Sequence, residues 1–449
     1  MDQHSQVDDV QVPLHRRIAE NLGKQVSSGK LKPGEKLPSE RQIARQFQAS
    51  RATVRTALQH LEQEGLIARR ERRSAVVAAR RTMVPYMRIA CTSPILMHHF
   101  NRLAEMQILP PRSQLQLVDM QQADLRQILT RPATGADILI TDLEYLSSFK
   151  GMSERNGHLP QEMIREIRPP SVLEQMCSEN GEYFAAPITI SPVMLYYHRN
   201  NLHNNQLEVP HGAINWGSLH QMAQKMTHNG QFGLQFRPIY AHLAAIIASR
   251  GGELYNSEGK IAVRNPAFEP TIRLLHEMVH NQKVAPLLTR IEQINPFAQG
   301  RCGMAVDGFE MHKFYKDKLQ DNLAVTPLPV NGGHSVVSGV VAFFIGGQEN
   351  IQPAQNLLQT LISGNTQRLL VQLSAGLPVR NDLLNLEALQ GLGIGSDLAQ
   401  PFLLELNRAT PTNQPQNIEY KIAIENLLLE FWLGLETPEG LLQRLMEQA

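Results

Sequence analysis

Near the N-terminus the apolar positions recur at helical spacing. Leu14, Ile18, Leu22 and Val26 fall at i, i+4, i+8 and i+12, one face of a helix that Pro13 opens and Ser27-Ser28-Gly29 stops. Lys32-Pro33-Gly34-Glu35 reads as a turn. Ser39 is placed to cap a short helix through Phe47, with Ile43, Ala44 and Phe47 inward. Ser50 caps a third helix with Val54, Leu58 and Leu61 on one face, and Glu64-Gly65 ends it. Ile67–Arg70 and Ala75–Ala79 then read as two short strands around a charged turn.

Beyond Arg80-Arg81-Thr82-Met83-Val84-Pro85 the pattern changes to apolar runs alternating with helical stretches. Met87–Cys91, Gln114–Val118, Asp137–Ile140, Ala185–Ile190, Val193–Tyr197, Cys302–Val306, Leu323–Pro327 and Val340–Phe344 read as strands. Ser218–Thr227, His242–Ser249, Ala267–Asn281 and Ala354–Ser363 read as helices. This alternation predicts an α/β body with parallel or mixed sheets covered on both faces. The longest apolar run, Val336–Ile345, is too short to span a bilayer, and the first twenty residues hold no apolar signal-peptide core. A soluble, cytoplasmic protein that avoids the membrane is the expectation.

Composition adds one asymmetry. The chain of 449 residues is 42% hydrophobic and 19% charged, ordinary for folded domains, with a net charge of +1. Residues 1–83 hold 16 Lys and Arg against 9 Asp and Glu, and the remainder holds 27 against 33. A basic head on an acidic body points to a polyanion partner for the head alone. Three widely spaced cysteines, Cys91, Cys177 and Cys302, argue against a disulfide framework or a cysteine metal cluster.

Helix, turn, Ser-capped short helix, Ser-capped second helix and two strands is the layout of a winged helix-turn-helix. A DNA-binding face needs cations and helix N-termini aimed at phosphate. The third helix opens Ser50-Arg51-Ala52-Thr53-Val54-Arg55, which sets Arg55 outside the apolar stripe and Arg51, one turn earlier, at its edge on the same side. Arg reads guanine through two acceptors, and Thr53 can bond a phosphate or base edge. Arg41 opens the preceding helix. The stretch from Gly29 and Leu31 through Pro33-Gly34-Glu35-Lys36-Leu37-Pro38-Ser39-Glu40-Arg41, with Ser50–Leu58 and Leu61–Ile67, resembles the GntR family of bacterial repressors. That resemblance implies DNA contacts by Arg41, Ser50, Arg51, Thr53, Arg55 and, on the wing, Arg72. The family wing usually reads Gly-x-Gly-Thr; this chain has Arg72-Arg73-Ser74-Ala75 there, which keeps charge and loses the glycine turn.

The body resembles the extracellular solute-binding proteins of bacterial ABC importers. The resemblance is carried by Tyr183-Phe184-Ala185-Ala186-Pro187 with Leu195-Tyr196-Tyr197-His198, by Asn215-Trp216-Gly217-Ser218-Leu219, by Gly251-Gly252, by Phe297–Ala305 and by Gly376-Leu377-Pro378-Val379-Arg380. It implies a two-lobed periplasmic-binding (type 2) fold with a solute held between the lobes at the carboxyl ends of strands. Placed by that geometry, the ligand candidates are Ser93, Asp142, Tyr145, Tyr196, Arg237, Tyr240, Asp307, Glu310 and Gly339, with Thr141 and Ser338 beside them. Trp is scarce, so stacking on a sugar would fall to Tyr or Phe.

The expected organisation is a winged helix-turn-helix over 1–79, a link at 80–86 and a two-lobed effector domain over 87–449. The expected function is a ligand-responsive transcription regulator, not an enzyme. It would bind a pseudo-palindromic operator as a homodimer and sense a small solute such as a sugar or oligosaccharide, without cofactor or metal. A body that only dimerises is a second possibility. The alternative from another class is a metal-dependent hydrolase tethered to DNA, resting on His276-Glu277-Met278-Val279-His280 alone. The stretch after His280 offers no third ligand of the metzincin type. Gly391-Leu392-Gly393-Ile394-Gly395 has no following Lys-Ser/Thr and reads as a loop, and His98-His99 as a helix face.

Overall fold

The structure, a computed structural model, describes residues 14–27, 30–32, 34–63, 67–68, 75–77, 87–111, 113–118, 136–149, 159–208, 214–288, 295–329, 333–347 and 350–449. Pro13, Ser28-Gly29, Pro33, Glu64-Gly65, the wing segment with Arg72, and the stretch 80–86 lie outside the described residues. The chain divides into two compact units, Met1–Tyr86 and Met87–Ala449.

In the first unit, α1 (Leu14–Ser27), α2 (Glu40–Gln46) and α3 (Arg51–Gln63) close around Ile18, Leu22, Ile43, Val54, Leu58 and Leu61, the stripe read from the sequence. Ser39 and Gln42 form a reciprocal capping box, which satisfies two orphan donors at the start of α2. Strands β1 (Ile67–Ala68) and β2 (Val76–Val77) pair antiparallel. The segment before α2 joins them: Gly34 and Leu37 donate to Val77 and Ala75, and Val77 donates to Glu35. A turn closed from Glu35 N–H to Lys32 C=O sets Gly34 at φ +83°, a region that glycine enters without steric cost. Gly34 of the signature thus shapes the segment that joins the ribbon.

The second unit holds two sheets. The larger has the order β4 (Gln114–Leu117), β3 (Arg88–Cys91), β5 (Ile138–Asp142), β13 (Val337–Phe344), β8 (Ala186–Pro192), β14 (Leu377–Pro378), inverted as β14-β8-β13-β5-β3-β4. Strands β3, β4 and β5 are mutually parallel, and β13, β8 and β14 join antiparallel. The smaller has the order β10 (Phe232–Gln235), β11 (Cys302–Asp307), β9 (Met194–His198), β12 (Leu323–Pro327), with β10 parallel to β11 and the rest antiparallel. A short hairpin, β6 (Ser178–Glu179) and β7 (Glu182–Tyr183), leads into β8. The chain passes from one sheet to the other at Pro192-Val193 and returns between β12 and β13; the two passages touch where Val193 N–H meets Val336 C=O.

Period-two alternation explains why both faces of the smaller sheet are buried. Leu195 and Tyr197 of β9, with Met304 and Val306 of β11, face a helical layer containing Trp216, Leu243, Ile272, Ile424 and Phe431. Met194 and Tyr196, with Ala305, Leu323 and Val325, face the opposite way into a core that also holds Phe402 and the larger sheet's Ile140 and Phe343. Helix Trp216–Met226 approaches β10 so closely that a Cβ on Gly233 would lie 1.9 Å from the Ala223 carbonyl oxygen.

Asp137 is the polar anchor of the larger sheet. Its fully buried carboxylate accepts from Arg88 N–H at 2.9 Å, from the Arg88 guanidinium at 3.2 and 3.3 Å, and from Asn350 Nδ2 at 2.7 Å. It therefore ties the start of β3 and β5 to the turn after β13. Asp137→Ala should lower the unfolding free energy by about 3 kcal/mol, because buried donors lose their acceptor. Asp137→Asn should lose less, since its amide oxygen still accepts. Urea denaturation of the three proteins checks this; indistinguishable midpoints would remove Asp137 from its anchoring role.

Candidate functional site

The head presents a compact set of donors. Ser50 Oγ accepts from Thr53 N–H at 3.1 Å and lies 2.8 Å from Thr53 Oγ1, so the two hydroxyls define the N-terminus of α3. Arg51 and Arg55 are exposed one turn apart on that helix, and Arg41 is exposed on the first turn of α2. Arg55 Nε bonds Glu40 Oε2 at 3.0 Å, which braces the guanidinium against α2. Glu40 was not singled out from the sequence; its position fifteen residues before Arg55 carries no local periodic signal. Five of the six candidate DNA-contacting residues are thus described, and Arg72 is outside the described residues.

In the body, Arg237 follows β10 and Asp307 ends β11. Because β10 and β11 run parallel, Arg237 lands beside Asp307, with Nη1 to Oδ1 at 3.3 Å. Tyr315 donates its hydroxyl proton to Asp307 Oδ2 in a short bond, and Asn295 Nδ2 donates to the same Tyr315 oxygen at 3.0 Å. His242 completes the group. Its Nδ1 accepts from the Arg237 backbone N–H at 3.2 Å, which leaves the proton on Nε2, 3.4 Å from Asp307 Oδ1. Burial, then Arg237, pulls His242 down to about 4, against a pull upward from Glu310, so the imidazole is neutral at pH 7. Burial pushes Asp307 above the usual carboxylate value, opposed by Arg237, Tyr315 and Gln235. Glu310 accepts from Ser191 Oγ at 2.6 Å, and that oxygen accepts from Phe309 N–H at 2.7 Å.

A second cluster draws on residues of both lobes. Tyr145, in the turn Leu143–Phe149 after β5, and Tyr240, which opens helix Tyr240–Ser249, both face the Lys421 ammonium, at 4.6 and 5.8 Å from their ring centroids. Lys421 Nζ bonds Glu425 at 2.7 Å and Glu144 at 3.1 Å.

The remaining candidates fall elsewhere. Ser93 caps helix α4 (Pro94–Glu105) by accepting from Leu96 N–H at 3.2 Å. Asp142 ends β5 and is half-buried. Two further candidates have a structural place of their own. Tyr196 points into the core, wholly buried, with its hydroxyl donated to Gly308 C=O at 3.0 Å, because even positions of β9 face inward. Gly339 serves strand packing: a Cβ there would lie 2.4 Å from the Thr189 carbonyl oxygen of β8. Thr141 and Ser338 likewise tie strands, through Thr92 Oγ1 at 3.0 Å and Ser191 C=O at 3.2 Å.

The H-E-x-x-H stretch spans the end of one helix and the turn that follows it. Helix Phe268–His276 runs into a π-turn, Glu277–Asn281, and His276 stacks on Phe431 with ring centroids 4.8 Å apart. Among the described residues no three His, Cys, Asp or Glu side chains gather as a metal set.

The buried histidines give a pH signature. His242, His99 and His312 all sit near 4, each chiefly through burial, against an ordinary 6.5. Above pH 6.5 both folded and unfolded chains leave them neutral, and stability is complete. Between 6.5 and 4 the unfolded chain takes up protons that the folded one refuses, so stability falls with pH. The melting temperature should drop across this window, and His242→Gln should shrink the drop. Calorimetry at pH 7 and 5 checks it; an equal drop in both proteins would contradict the neutral assignment.

Residues 14–77 match the family described as "Bacterial regulatory proteins, gntR family". The HTH-type transcriptional repressor NagR of Bacillus subtilis (strain 168) is 45% identical over 67 residues, 15% of this chain and 28% of NagR. An arabinose metabolism transcriptional repressor of Geobacillus stearothermophilus is 46% identical over 54 residues, 12% of this chain and 15% of that protein. The chain thus spans under a third of the length of these relatives. Solved structures resemble most of the chain in fold. Maltose-bound MalE3 of T. maritima has a TM-score of 0.63 at 16% identity, covering 80% of this chain and 98% of that one. A ribitol-bound ABC transporter solute-binding protein of Agrobacterium radiobacter K84 has a TM-score of 0.67 at 15% identity, covering 81% and 97%. Residues 14–77 are therefore a GntR-family helix-turn-helix domain, joined in one chain to a body with the two-lobed solute-binding-protein fold.

Proposed function

We propose that this protein is a ligand-responsive transcription regulator whose body senses a carbohydrate or polyol. The observation that carries the reading is the joining of a capped, Arg-bearing GntR-type helix to a solute-binding fold. The N-terminus of α3 enters the major groove, with Arg51 and Arg55 on base edges and Thr53 on a phosphate or base. Arg41 positions the head on the backbone, and two heads on a pseudo-palindrome supply the affinity that one half-site lacks. The structural neighbours carry maltose and ribitol, and hydroxyl-rich solutes suit the carboxylates, arginine and tyrosines that border this cleft. No described helix is long and apolar enough to cross a membrane, in keeping with action on DNA.

Two measurements test the two halves separately. On the native operator, Arg51→Ala and Arg55→Ala should each lose about 1–3 kcal/mol of binding and relax base preference. Glu40→Gln should lose less, since it only braces Arg55. Footprints unchanged in all three, or one protomer per operator at saturation, would overturn this assignment. For the body, a thermal-shift screen of maltose, ribitol and related solutes should raise the melting temperature for those that bind the folded state. A solute so found should change operator affinity roughly 5–150-fold, and inserting about ten Gly/Ser residues within 80–86 should reduce that coupling while solute affinity holds. Equal operator affinity with and without the bound solute would sink the switch and favour a body that only dimerises.

A further inference from the structure

Lys421 is 1% exposed, in a chain whose other lysines mostly face solvent. It stands on helix Ile418–Trp432, which packs with the smaller sheet's helical layer. Its partners come from both lobes. Glu425, one turn along the same helix, and Tyr240 belong to the smaller lobe. Glu144 and Tyr145 belong to the larger lobe, on the turn that follows β5. Two carboxylates and two tyrosine faces around one ammonium are the chemistry of a cation site. Here the cation is the protein's own.

We propose that Glu144, Tyr145, Tyr240 and Glu425 form an ammonium box between the lobes, and that Lys421, its built-in occupant, latches them together. The proposal concerns the body alone and does not depend on which solute or operator the protein binds. Separating the lobes takes Glu144 and Tyr145 away from Lys421 and leaves only the partners of its own lobe. Removal of one partner from a buried charge is costly, so the closed arrangement gains from the pair. Burial pulls the Lys421 ammonium toward deprotonation, but Glu144 and Glu425 outweigh it and hold it above the usual lysine range. The box thus favours the cation more than water does, as a latch requires. A neutral tie stands beside it, Ser147 Oγ to Pro415 C=O at 2.6 Å, and this tie survives in the variants below.

The test reads the distance between the lobes. Cys91, Cys177 and Cys302 are buried, so cysteines placed at exposed Gln359 and Lys225, one on each lobe, accept spin labels selectively. In full-length protein without solute, Glu144→Gln and Lys421→Met should shift the closed-to-open ratio toward open by roughly tenfold. Glu425→Gln removes only the partner on the same helix and should shift it less than Glu144→Gln does. Lys421→Ala should also open, and millimolar propylammonium, which replaces the deleted atoms, should restore the short distance where 1-propanol does not. Propylammonium should leave the parent unchanged. Identical distances in parent, Glu144→Gln and Lys421→Met would overturn the latch. So would equal effects of Glu144→Gln and Glu425→Gln, or equal rescue by propanol. Should Lys421→Ala fail to fold, the comparison of Glu144→Gln with Glu425→Gln decides the matter alone.

Discussion

Because β8 pairs with β13 in one lobe and continues within two residues into β9, which pairs with β12 in the other, two neighbouring backbone passages join the sheets. The paired strands cannot slip without turning every side chain to the wrong face. Gly339 and Thr189 show how tightly that register is set, since no larger residue fits between the strands at that point. From this fixed joint follow the positions of Ser191, Asp307 and Glu310, which lie where the strands end. Ser191 and Asp307 are thus held within strands by backbone pairing, while Arg237 and Glu310 follow in the short segments just after them.

Within the joint, charge is arranged in two ways. Around Asp307, neutral His242, Tyr315 and one guanidinium satisfy a single buried carboxylate, a network that lies mostly within one lobe. Around Lys421, carboxylates from both lobes satisfy a single buried ammonium. The first stiffens a wall of the cleft. The second depends on the wall opposite, and so is sensitive to how far the lobes stand apart.

Much of the fold was legible in the sequence, because it is written in local signals. The stripe Ile18, Leu22 of α1, the caps Ser39 and Ser50, and the apolar runs of β3, β5, β9, β11, β12 and β13 all lie near their predicted places. Strand β10 was missed: Phe232–Gln235 is short and holds a glycine, and only its contact with β11 makes it a strand. The candidate cleft was legible only in part. Arg237 and Asp307 were named because both follow strands, yet their pairing with each other, and the partners His242 and Tyr315, come from tertiary packing. The buried setting of Tyr196 was not legible, because an aromatic on a strand near the crossing reads the same whichever face it takes. Lys421 gave one faint sign, a charge with its i+4 partner Glu425 in a helix rich in apolar residues, but nothing local names Glu144 as its second partner.

The smaller sheet divides its side chains between two cores, and one of those cores also contains the strands of the larger sheet. Melting the smaller lobe would therefore break up a core that the larger sheet's residues also belong to. Such sharing couples the lobes thermodynamically even where they are free to hinge at the cleft. Amide exchange deep in either sheet should then report one common opening event, with the body lost and regained as a single cooperative unit.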